Sequence, residues 1–225
     1  MTATATTIAV VGAGTGLGAA VARRFGRAGF AVALVSRGRD RVEALAAALT
    51  DEGITAQGFA ADVRDPEALA AALDSAGSAL GPVEVLQYSP VPQPDFMKPV
   101  LGTTAADLAG PLAFSVYAPV TAVRQVLPGM RALGRGTVLF VNGGTAVVPH
   151  PDRAGTSIAF AAESAYGQML HDTLAPEGIH VGQLVIPGAI VPGHPRKDPA
   201  VLAEVLWGMH RDRHGFRHFA DDLDA

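Results

Sequence analysis

The sequence predicts an α/β domain of three layers (α/β/α), a doubly wound parallel sheet between two sets of helices. Three observations predict it: short apolar runs that alternate with helical patterns from end to end, helix-start signals between those runs, and a glycine-rich turn joining the first run to the first helix. Continuous apolar runs suit strands covered by helices on both faces. Strands joined through helices run parallel with right-handed crossovers, which sets a ligand crevice at their carboxyl ends.

The runs that read as strands are Ile8–Val11, Ala31–Val35, Thr55–Ala60, Val83–Leu86, Thr137–Val141 and Val181–Ile186. Between them, Asp40 with Glu43 and Thr104 with Asp107 have the spacing of capping boxes. Asp65-Pro66 and Asp198-Pro199 each set an N-cap acceptor before a proline at the first helical position. Two proline-rich stretches, Ser89 to Pro99 and Pro187 to Pro199, follow strands and are expected to overhang the crevice as loops. No repeat, low-complexity linker or break in composition divides the chain, so residues 1–225 read as one domain. A domain of that length buries about 70% of its unfolded surface without cross-links.

Composition narrows the partners. There are no cysteines, which suits a reducing cytoplasm, and Met1 to Thr7 carry no basic cluster of the kind that opens a secretory leader. The nearest approach to a membrane span, Ala109 to Val123, contains Pro111, Ser115 and Pro119 and falls short of the ~18 residues required. Net charge is −4 and the arginines are scattered, so nothing electrostatic argues for nucleic acid or an anionic membrane. The expectation is a cytoplasmic protein whose partners are small molecules or copies of itself.

Chemistry should lie just after the strands. Val11-Gly12-Ala13-Gly14-Thr15-Gly16-Leu17-Gly18 turns from strand to helix with almost no side chains, leaving bare amide N–H groups and the positive end of the helix dipole facing the crevice. A pyrophosphate suits such a place, although a glycine turn alone also fits a tight connection without ligand. After the second strand come Ser36 and Arg37. An acidic residue there would bind the 2′-OH of NAD, whereas an arginine accommodates the 2′-phosphate of NADP, so NADP(H) is expected over NAD(H). After the third strand, Asp62-Val63 would position adenine through the carboxylate and the following amide, or else cap a turn beside Asp65.

In this order and spacing the chain resembles the short-chain dehydrogenase/reductase family over nearly its whole length. The matches are Gly12-x3-Gly16-Leu17-Gly18, Arg37, Asp62-Val63, the Val126-Leu127-Pro128-Gly129-Met130 end of the long fourth helix, Gly136-Thr137-Val138 opening the fifth strand, and Pro187-Gly188 after the sixth. The resemblance implies a Rossmann-type sheet of about seven strands, NADP(H) as cofactor, and a homodimer or homotetramer built through the fourth and fifth helices. Apolar residues from Leu112 to Leu133 would suit that interface.

The family's chemistry does not carry over. It uses a tyrosine as proton donor or acceptor, a lysine four residues later, a serine after the fifth strand and an asparagine in the fourth helix. Set in register on Leu170, Leu174-Ala175 and Gly178-Ile179-His180-Val181, this chain has Phe160 at the tyrosine and Ser164 at the lysine. Ser115 falls at the asparagine, and Asn142-Gly143-Gly144 stands where serines are expected, with Gly143 at the catalytic one. A phenol of pKa ~10 serves near neutrality only beside a cation, so Phe160 has no proton to give and Ser164 no charge to help. Tyr88-Ser89-Pro90-Val91 also replaces the family's Asn-Asn-Ala-Gly, and Pro192 its threonine after Pro187-Gly188.

Replacement groups are few. Tyr88 and His150 are candidate protic residues over the crevice, with a packed aromatic and an exposed loop histidine as their plainer readings. Tyr166 is about 240° around the helix from Phe160, and Glu163, about 100° from Ser164, is expected to face solvent or a neighbouring subunit. Lys98 reads as a surface residue. His210, His214 and His218 recur every four residues, yet Gly215 interrupts them and zinc needs three or four converging ligands, so no metal is expected. Signatures of serine hydrolases and phosphotransferases are missing. Three functions stay open: a divergent NADP(H)-binding oxidoreductase, a catalytically silent sensor or partner subunit, and a redox-neutral isomerase or lyase. Kinship puts the oxidoreductase first, and the mostly uncharged loops suggest a small apolar or neutral ligand.

Overall fold

Seven strands form one sheet: β1 Thr7–Val11, β2 Ala31–Ser36, β3 Ala56–Ala60, β4 Val83–Tyr88, β5 Gly136–Gly143, β6 Ile179–Ile186 and β7 Arg217–Phe219. The computed structural model describes residues 6–223; residues 1–5, part of the stretch read for a leader, and residues 224–225 lie outside it. Every pairing is parallel, in the order β3-β2-β1-β4-β5-β6-β7. The order reverses between β1 and β4, so the crevice opens there at the carboxyl ends.

Six helices cover the sheet: α1 Leu17–Arg27, α2 Arg39–Asp51, α3 Pro66–Leu80, α4 Ala105–Leu133, α5 Ala154–Leu174 and α6 Pro199–Asp212. Alternation along β1 shows why both faces need cover. Ile8 and Val10 pack with Phe25, Leu49 and Leu206 of α1, α2 and α6, while Ala9 and Val11 join Leu73, Val123 and Leu174 of α3, α4 and α5. Both faces are dry, as a parallel sheet requires.

Local chemistry sets most helix starts. Asp65 accepts from the amides of Glu67 and Ala68, Asp198 from that of Ala200, and Thr104 with Asp107 forms a capping box. Asp40 does not cap. Its helix is capped two residues earlier, at Gly38, which leaves Asp40 inside the first turn while Glu43 pairs with Arg39 at 3.4 Å.

Two further expectations change. β7 was not among the apolar runs, because it is three residues at the sheet edge with Arg217 and Phe219 exposed. The prolines read as interrupting the stretch from 109 to 123 do not break α4, which continues through a π-turn at Ala113–Tyr117. Its 29 residues contain an 18-residue window of mean hydropathy 1.2, which meets the length and composition of a membrane span. Its inner side, with Phe114, Ala118, Ala122, Val126 and Met130, is packed in the core, which uses part of the apolar surface expected at a subunit interface.

Candidate active site

A cavity of about 590 Å³ lies over the crevice, walled by the glycine turn, the ends of β5 and β6, one face of α5 and both proline-rich loops. The glycines have separable jobs. Gly12 sits at φ +92°, and a Cβ there would lie 2.6 Å from the backbone nitrogen of Pro90. A Cβ on Gly18 would come within 3.0 Å of the Ala13 Cα, so that glycine lets α1 sit against the turn. Gly14 and Gly16 line the cavity, and a Cβ on either would meet nothing within 4 Å.

The α1 N-cap is Gly16, which offers no side chain to the first amides of the helix. Bare donors, open space and a positive helix end together fit a pyrophosphate. Leu17 and Gly18 complete this wall, while Thr15 is exposed beside it.

Ser36 ends β2 and Arg37 follows it, both outside the cavity wall, with Arg37 exposed. Val63 is buried and Asp62 half-buried at the same end. The Asp62 carboxylate is engaged by Arg64, whose Nη2 stands 2.8 Å from Oδ2 and whose backbone N–H donates to Oδ1. That contact, more than the nearby charge of Arg37, holds the Asp62 pKa below its usual value. Arg64 thus adds a second cation beside Arg37 that sequence reasoning did not consider.

At the other end the floor is apolar. Phe160 is buried and lines the cavity, with its ring 3.7 Å from where a Gly143 Cβ would be. Ser164 does not face the cavity. Its hydroxyl donates to Gln183 Oε1 at 2.9 Å and accepts from Arg217 Nη2 at 2.7 Å, and Gln183 Nε2 donates to Asn142 Oδ1 at 2.8 Å. The Arg217 guanidinium thus reaches inward from the edge strand β7 to Gln183 and Ser164.

Glu163 corrects the sequence reading. It faces neither solvent nor an outer surface: it is 2% exposed, and burial pushes its pKa well above the usual glutamate value. Asn142 and Ser115 face the carboxyl closely enough to pull that pKa partly back. Even so, Glu163 Oε1 and Asn142 Nδ2 have no partner with hydrogen-bond geometry among the described residues. The reason for the inward turn is α4, whose π-turn carries Ser115 over this side of α5. Ser115, Asn142 and Glu163 form a buried polar cluster behind Phe160, and Asn142 also lines the cavity.

The candidate protic residues Tyr88 and His150, and Lys98, do not reach the cavity wall. Tyr88 is 1% exposed and its hydroxyl donates to the carbonyl of Phe114; burial drives its pKa well up, so it is a packed aromatic. His150 is exposed, and its Nδ1 accepts from the Asp152 amide. Lys98 pairs with Asp107 at 2.6 Å. Pro187 is buried and Gly188 lines the cavity, with Lys197 beneath them: Lys197 is 9% exposed and pairs with Asp221 at 3.5 Å. The histidines of the tail do not converge, since His210 bonds Thr137 at 2.9 Å while His218 bonds the backbone of His214.

Known proteins share both sequence and fold. A fatty acyl-CoA reductase of Mycobacterium tuberculosis is 26% identical over 188 residues, covering 82% of this chain and 63% of that protein, so the chain spans less than two thirds of that relative's length. The L-sorbose reductase of Gluconobacter frateurii, solved with NADPH and L-sorbose, superposes with a TM-score of 0.88 at 21% identity, over 99% of this chain and 98% of that one. A NADPH-bound short-chain oxidoreductase of Pseudomonas aeruginosa, described as containing an atypical catalytic center, superposes with a TM-score of 0.84 at 20% identity over 95% of each chain. The sequence model for the short chain dehydrogenase family matches residues 6–198, and with the sheet order and the glycine turn this shows that the chain belongs to that family.

Proposed function

We propose that the chain is an NADP(H)-binding oxidoreductase that moves hydride without the tyrosine–lysine proton relay. The observation that carries this reading is the cavity itself, which is lined continuously from the glycine turn to Phe160. Gly14 and Gly16 would seat the pyrophosphate, and Ser36 and Arg37 the 2′-phosphate end, with Val63 beside the adenine. The nicotinamide supplies or accepts the hydride when bound. Phe160 and Gly143 exclude water from that end, and Glu163, a buried acid that does not line the cavity, bears on the reacting end only through Asn142, which does.

Two supports favour NADP(H): Arg37 with Arg64 beside it, and the NADPH named with the L-sorbose reductase and the P. aeruginosa protein. Exposed Tyr117 on α4 and Ile158 and Met169 on α5 support assembly with further copies. The absence of cysteine supports a cytoplasmic site of action.

Titration of NADPH and NADH by fluorescence tests the reading. NADPH should bind more tightly than NADH, and Arg37→Ala should weaken NADPH about tenfold, or ~1.4 kcal/mol, with NADH unchanged. Equal NADPH affinity in the variant would remove Arg37 from the site. Binding with no turnover of any aldehyde or ketone would return the chain to the silent sensor or partner-subunit reading.

A further inference from the structure

Among the residues that line the cavity, Arg153 is the only one with a charged side chain. It stands at the N-cap of α5, three residues before Thr156 and seven before Phe160, and all three line the same cavity from one helix face. Its backbone is fixed: the N–H donates to the His150 carbonyl at 3.0 Å, and the carbonyl accepts from the Thr156 hydroxyl at 3.1 Å. Its guanidinium is not. Among the described residues no carboxylate lies within 4.0 Å of it; exposed Arg37, Arg41 and Arg124 likewise lack an ion pair, but Arg153, exposed as well, is the one that lines the cavity.

We propose that Arg153 recognises a carboxylate on the ligand, which makes that ligand an apolar acid rather than a neutral molecule. The inference rests on the same cavity as the proposed function and names the chemical class that it takes. Val91, Pro92, Met97 and Ile190 supply apolar walls of the same cavity, so a ligand reaching from Arg153 to Phe160 meets mostly hydrocarbon. A guanidinium grips a carboxylate through two parallel hydrogen bonds. Lys197, the cation beneath Gly188, is already paired with Asp221, which leaves Arg153 to match a single negative charge better than a phosphate dianion. Along α5, seven residues span about 10 Å, which places the acid group roughly two helical turns from the reacting end.

Calorimetric titration with octanoate and octanamide, equal in length and differing in charge, tests this on the whole chain with and without NADP+. Octanoate should bind at least tenfold more tightly than octanamide, Arg153→Met should erase the difference, and Arg153→Lys should keep part of it. Equal affinities in the unaltered protein, no octanoate binding, or an octanoate preference that survives Arg153→Met would each overturn the proposal. Failure of the unaltered protein to bind NADP+ would instead count against the oxidoreductase reading, because the octanoate comparison without cofactor still judges Arg153.

Discussion

The two ends of the cavity are made of different material. At the glycine turn, the features that fit a ligand belong to the backbone: bare amides, the α1 terminus, and positions where a Cβ would collide or where nothing lies nearby. Near Phe160 they belong to side chains: the Phe160 ring is apolar, the Ser164 hydroxyl is bound to Gln183 and Arg217, and the Glu163 carboxyl is buried. A backbone-made site tolerates drift in sequence as long as its glycines remain. A side-chain-made site loses its chemistry one residue at a time while the fold stands.

That contrast can be broken at either end. The largest effect is expected from Gly12→Ala, which combines an unfavourable φ of +92° with a Cβ 2.6 Å from Pro90. Urea unfolding should show a loss of about 3 kcal/mol or more, with NADPH binding lost as well. A variant as stable as the parent would mean that β1 and the 89–99 loop are not held together at this point.

Glu163 gives the next effect, and its sign is fixed by linkage. Its folded pKa lies above the reference value of 4.5, so folding favours the protonated form. Stability from this group is fully present below pH 4.5 and is lost as pH rises toward the folded pKa. Glu163→Gln cannot ionise, and it should gain on the parent by about 1.4 kcal/mol per pH unit through that window. Parallel stability curves from acid to neutral pH would show that the carboxyl is already ionised in the folded protein.

The smallest change is expected from restoring the family's pair. Phe160→Tyr with Ser164→Lys brings an ammonium to the Ser164 position, where the Arg217 Nη2 now stands 2.7 Å from the hydroxyl, and leaves Ser115 and Gly143 in place. NADPH-dependent ketone reduction should change by less than about tenfold. A large gain would mean that the rest of the site had kept its old geometry.

The parts of this molecule that were legible in the sequence are those governed by local chemistry. Asp65, Thr104 and Asp198 cap within a few residues of themselves, and the six apolar runs became strands with ends shifted by only one or two residues. β7 escaped because an edge strand of three residues has no face to bury and so no apolar pattern. Helical angles placed Glu163 about 100° from Ser164 but said nothing of what packs on that side. The answer came from Ser115, brought across by the π-turn of α4. One signal was available, since Glu163 is the only charged residue between Arg153 and Asp172. Arg64 had a signal too, because a residue two places after an Asp can fold back on its carboxylate.

If a conventional cofactor cradle is joined to a rebuilt reacting end, a crystal structure of the NADPH complex will show the pyrophosphate on the amides around Gly14 and Gly16, the 2′-phosphate at Arg37, and the nicotinamide over Gly143 and Phe160 with Glu163 still buried. A pyrophosphate bound away from the glycine turn, or Tyr88 or His150 moved into contact with the nicotinamide, would contradict it.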